Sequence, residues 1–104
     1  MAVDWNDIER QTATLAQLIL PGFVRQATED AQAFRVRAEQ HIAVWLQEVR
    51  DGEITKKDFE SLVRGERDLA EMNALKQAGL AHAAVDAFTS GFMEIVVRAT
   101  LGAI

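Results

Sequence analysis

Residues 64–79 read RGERDLAEMNALKQAG, and whether this stretch is one helix or several decides the fold. It contains Gly65 and Gly79, each surrounded by good helix formers, without the Asn, Pro or Ser clusters that mark turns. An isolated glycine costs a helix about 1 kcal/mol relative to alanine, which weakens the helix without ending it. The local reading is therefore an unbroken helix. Charges at Glu66, Arg67, Asp68, Glu71 and Lys76 interleave with Leu69, Met72 and Leu75, the pattern of a solvated face that can pair Arg67 with Glu71 one turn on.

Toward the C-terminus the sequence continues LAHAAVDAFTSGFMEIVVRATLGAI. Residues 79–104 carry only three formal charges, Asp86, Glu94 and Arg98, in a chain that is 26% charged. Gly79, Ala83, Ala87 and Gly91 recur every four residues and give one small-residue face that admits a close neighbour, with Phe88, Phe92 and Ile95 supplying bulk beside it. His82, Asp86, Glu94 and Arg98 interrupt any apolar run of about 20 residues, so a membrane span is not expected.

Toward the N-terminus, Thr55 with Asp58 three residues later forms a variant capping box, and Asp51-Gly52 supplies a helix stop. Before it, Val24, Ala27, Ala31, Phe34, Ala38, His41 and Trp45 keep helical spacing, with Ile42, Leu46 and Val49 widening the seam. Asp4 and Asp7 cap an earlier helix whose stripe is Trp5, Ile8, Leu15, Leu18 and Ile19. Pro21-Gly22 interrupts that helix, because proline removes a ladder donor and clashes with the preceding turn.

These signals combine into a single all-α domain over 1–104: arm one over 4–50 with a kink at 21–22, a turn at 51–55, and arm two over 56–101. Each arm is roughly 70 Å long if straight. One such antiparallel hairpin has no third surface to cover its apolar tail, so a homo-oligomeric helix bundle, dimer or tetramer, is expected. Its interface would use Gly79, Ala83, Ala87, Phe88, Gly91, Phe92 and Ile95.

The net charge is −5, and the two halves are alike: residues 1–52 carry five basic and eight acidic groups, residues 53–104 six and eight. With no basic face, nucleic acid has nothing to bind. The absence of cysteine removes disulfides, thiolate metal sites and a thiol nucleophile. An acidic N-terminal stretch in place of a secretory signal points to the cytoplasm.

Chemistry-bearing residues are few. His41 precedes Glu48 by one heptad, and His82 precedes Asp86 by one helical turn. With Glu94 they form a candidate metal set, His41, His82, Asp86 and Glu94, which an oligomer axis would double. No Glu-x-x-His pair of a diiron bundle is present. Residues 51–59, DGEITKKDF, resemble the second half of an EF-hand loop, but the alignment puts Gln47 and Val49 where the first oxygen ligands belong. Ser61 and Ser90 lie outside any Gly-x-Ser-x-Gly turn, and no phosphate loop occurs. The expectation is a non-enzymatic assembly, scaffold or protein-interaction module without a cofactor. The alternative is a small bundle that binds a metal or an apolar ligand.

Overall fold

The computed structural model describes residues 2–104. The helices are α1 (Trp5–Ile19), α2 (Val24–Arg50), α3 (Lys56–Gly65), α4 (Asn73–Gln77) and α5 (His82–Gly102), with a 3-10 turn at Glu66–Leu69. No strand occurs among the described residues.

The local signals form as the side chains require. Asp4 accepts the Asp7 amide at 3.0 Å and starts α1. Thr55 and Asp58 exchange two 3.1 Å bonds in a complete capping box. Gly52 takes φ +76°, the left-handed conformation that closes a helix end. The EF-hand likeness at 51–59 is thus one helix end followed by one helix start.

Pro21-Gly22 is a reversal and not a kink. α1 stops at Ile19, Gly22 takes φ +91°, and the Phe23 amide donates to the Leu20 carbonyl at 3.0 Å. α1 then returns along α2: Gln32 donates to Glu9 at 2.8 Å, and the Arg35 guanidinium sits 5.8 Å from the Trp5 ring centre. Arm one is therefore two antiparallel helices. Proline supplies no amide to continue the ladder, and glycine supplies a φ that few other residues adopt.

Arm two is also corrected, because residues 56–101 form no single helix. α3 ends at Gly65, the 3-10 turn follows, and Met72 takes φ 54° and ψ 41°, the one left-handed non-glycine residue among those described. Gly79, at φ +88°, then sends α5 back in the opposite direction. The pieces 56–77 still run antiparallel along α2. His41 meets Glu66, Arg37 Nη1 donates to the Leu69 carbonyl at 3.0 Å, and Asp30 meets residues 74 and 75.

The long hairpin is in effect doubled over, at Pro21-Gly22 and again at Gly79. Four antiparallel rungs result: α1, α2, the broken rung 56–77 and α5. α1 packs on α2 and α5, α3 packs on α2 and α5, and α2 and α5 face each other across the core. Phe34 of α2 meets Phe92 of α5 across that diagonal, edge to face at 5.1 Å, with Phe88 at 6.4 Å from Phe92. The longest dimension is 44 Å, well short of a 70 Å arm.

This folding covers the apolar tail within its own chain. Phe88, Phe92 and Ile95, expected at a subunit interface, are core residues here, together with Phe34, Ile42, Phe59, Val63, Leu75 and Val96. A neighbouring chain is not needed to bury them. Gly79, Ala83 and Ala87 remain exposed, and Gly91 is half-buried beneath Leu15.

The break in the third rung is held by α2. Asp30, only 5% exposed, accepts the Ala74 amide at 2.8 Å on one carboxylate oxygen and the Leu75 amide at 2.9 Å on the other. A side chain from a different helix thus performs the N-cap of α4, because Met72 at the cap position has no side-chain oxygen to offer.

Candidate functional site: the groove between α1 and α5

α1 and α5 run antiparallel and touch at Leu15 and Gly91, so Arg10 and Arg98 both lie to one side of that contact and Leu18 lies to the other. Gly91 sets their approach. A Cβ at that position would fall 2.8 Å from a Leu15 methyl, so the absent side chain leaves the notch that Leu15 fills. Outside this contact the two helices diverge into an open groove of about 450 Å3, lined by Arg10, Gln11, Thr14, Leu15, Leu18, Gly91, Glu94, Ile95 and Arg98.

On α1, positions 10, 14 and 18 form one ridge, and on α5 positions 91, 94, 95 and 98 form the other. Leu18, expected in the core stripe, is 75% exposed, and its neighbour Ile19 is 44% exposed. Ala16 and Leu20 at this end of α1 are buried, so Leu18 lies on the face that no helix covers. The groove is apolar at the Leu18 end and polar at the Arg10–Arg98 end.

The charges at the polar end are unequally committed. Arg10 pairs with Asp7, which also accepts from Gln11 at 2.8 Å. Glu94 is bonded to Arg64, and Arg64 also reaches Glu60 at 3.1 Å. The hydrogen bond from Arg64 holds the Glu94 carboxyl below the usual carboxylate range, and the Arg98 charge adds to this. Arg98 itself makes one long contact, Nε to the Glu94 carbonyl at 3.5 Å, and meets no carboxylate within ion-pair distance among the described residues.

The proposed metal residues do not assemble. His41 Nδ1 donates to Glu66 at 2.8 Å beside the Trp45 ring, exposed His82 stands 3.4 Å from Asp86, and Glu94 belongs to Arg64. Among the described residues no three metal-ligating side chains come together. The Arg67–Glu71 pair also dissolves. Arg67 donates to Ser90 at 3.1 Å, and Glu71 faces Arg37 at 3.7 Å, because the helix that would have aligned them is broken.

Sequence reasoning missed the groove and the Asp30 cap. Leu15 and Leu18 fit a core stripe, and nothing local says that a stripe has no partner. One signal was available: Arg98 is the only basic residue in the last 26 positions.

No helix of the described residues is long and apolar enough to cross a membrane. The chain matches no family model, no curated protein and no solved structure.

Proposed function

We propose that this protein is a small, non-enzymatic helical bundle that binds an apolar ligand in the groove between α1 and α5. The observation that carries the reading is Leu18, three-quarters exposed in a groove whose other apolar walls, Leu15 and Ile95, come from two different helices. A volume of about 450 Å3 falls within the range of small-molecule sites. The tail that motivated self-assembly is covered by its own chain, so the ligand reading takes first place.

A second reading keeps the homo-oligomeric or protein-interaction module, a dimer, a tetramer or a docking platform for another protein. Its support is the row Ala83, Ala87 and Gly91, which leads along α5 into the same groove with Ala83 and Ala87 exposed. Light scattering coupled to size exclusion, with an uncharged solvatochromic dye as reporter, separates the two. An 11.5 kDa species that binds the dye, with binding weakened by Leu18→Glu, is expected for the ligand bundle. A multiple of that mass that falls to the monomer in Leu18→Glu would favour the second reading.

A further inference from the structure

The groove has a polarity that an apolar ligand alone would leave unused. Its two guanidiniums, Arg10 and Arg98, come from different helices to the same end, and its exposed leucine stands at the other. Eight residues of helix separate Arg10 from Leu18, about 12 Å, the length of a straight chain of roughly ten carbons.

We propose that the groove takes a single-chain anionic amphiphile, an unbranched alkyl carboxylate, with its chain along Leu15, Leu18 and Ile95 and its carboxylate held at Arg98 with Arg10 beside it. The proposal rests on the ligand-binding reading and adds the chemistry of the ligand. A guanidinium fork matches a carboxylate in geometry as well as charge. The Nη groups of Arg98 donate no hydrogen bond among the described residues, its one bond being Nε to a backbone carbonyl at 3.5 Å, and the Glu94 carboxylate one turn away offsets its charge without pairing with it. Arg10 adds a second positive charge that Asp7 partly offsets. Glu94, the one acid lining the groove, is neutralised by Arg64 and does not oppose an incoming anion in full.

A second copy of the chain fits this surface less well. Laid face to face in parallel, two grooves bring four guanidiniums together. Laid antiparallel, each Arg10–Arg98 pair faces the other copy's Leu18. Either arrangement brings in only the other copy's Glu94 as an anion, and that carboxylate is already held by Arg64. The chain's net charge of −5 repels anions at long range, so recognition has to come from contact.

The test is a titration of the full chain, with the methyl groups of Leu15, Leu18 and Ile95 followed by NMR. The probes are decanoate and decyltrimethylammonium, each below its micelle concentration at neutral pH. Decanoate is expected to shift these methyls and to bind about tenfold more tightly than the cation, as charge-assisted bonds to one guanidinium allow. Arg98→Gln, at an exposed position, should bring decanoate down to the level of the cation while leaving helicity intact.

Equal binding of the two probes, or decanoate binding unchanged in Arg98→Gln, would overturn the anionic ligand and leave the apolar groove standing. If neither probe moves the three methyls, the groove reading itself falls, and with it the amphiphile. Growth of the particle to twice its mass, with the same methyls shifted by concentration alone, would assign the groove to a second copy and also overturn the proposal.

Discussion

α2 and the rung 56–77 lie antiparallel over much the same length of the bundle, yet one is a single helix of 27 residues and the other is in three pieces. Both have helix-forming composition. They differ in what holds them. α2 buries Ala27, Ala31, Phe34, Ala38, Ile42 and Leu46 along one continuous seam, so each turn is supported by its neighbours in sequence and by the core. The rung 56–77 buries Phe59 and Val63 in α3, then Ala70 and Met72 around the break, then Leu75 in α4. A straight helix cannot aim all of these at one core.

The break is therefore favoured by burial and stabilised from outside the rung. Arg37 satisfies the Leu69 carbonyl, and Asp30 satisfies the Ala74 and Leu75 amides, all groups that an unbroken helix would pair internally. A left-handed Met72 costs about 1–2 kcal/mol. Its near-complete burial, at 2% exposed, is the compensating gain.

The comparison is broken most directly by Asp30→Ala. Two charge-assisted bonds are lost and buried amides are left without an acceptor, so a loss of about 3 kcal/mol in urea unfolding is expected. Hydrogen exchange at Ala74 and Leu75 should accelerate while the middle of α2 keeps its protection. An unchanged midpoint would mean that α4 is capped by water and that the break is a local property.

Gly79→Ala comes next, at about 1–2 kcal/mol destabilising, because φ +88° strains an L side chain even in open space. A neutral result in thermal unfolding would show that the second reversal does not depend on this torsion. Gly65→Ala should go the other way. Gly65 has helical torsions, φ −65° and ψ −17°, and nothing lies within 4 Å of an added Cβ, so a gain of about 0.5–1 kcal/mol is expected. Together the two alanine variants sharpen the contrast, since one glycine is required by a turn and the other merely sits in a helix.

The smallest effect concerns acid. The backbone and side-chain bonds of Thr55 hold the Asp58 carboxyl below its ordinary value, and Arg64 does the same for Glu94. A depressed carboxyl contributes stability above its unfolded pKa and loses it as pH falls through the folded value. Both groups are at the surface, so a slight decline in stability is expected as pH drops through and below the usual carboxylate range. NMR titration of the two carboxyls checks the direction, and ordinary values for both would remove the effect.

The helix ends that depend on neighbours in sequence were legible: Asp4, Asp51-Gly52, and Thr55 with Asp58. The composition of the tail called for a cover. Phe88, Phe92 and Ile95 do need a second surface, and the same chain provides it. Of the groove, the sequence showed the small-residue face at Gly91 and the lone cation at Arg98. It did not show that α1 would leave Leu18 uncovered.

The sequence by itself determined that this protein is helical, where the helix of 27 residues ends, and that the large apolar side chains of the last quarter, Phe88, Phe92 and Ile95 among them, need a cover. Those outcomes follow from periodicity, caps and hydrophobicity, which act within a few turns. Only the tertiary structure decided that the hairpin folds in half, that Met72 turns left-handed, and that Arg10 and Arg98 line one groove from different helices. Each of these depends on groups far apart in sequence, Asp30 with residues 74 and 75 or Leu15 with Gly91, whose contact energies exist only once the rungs have come together.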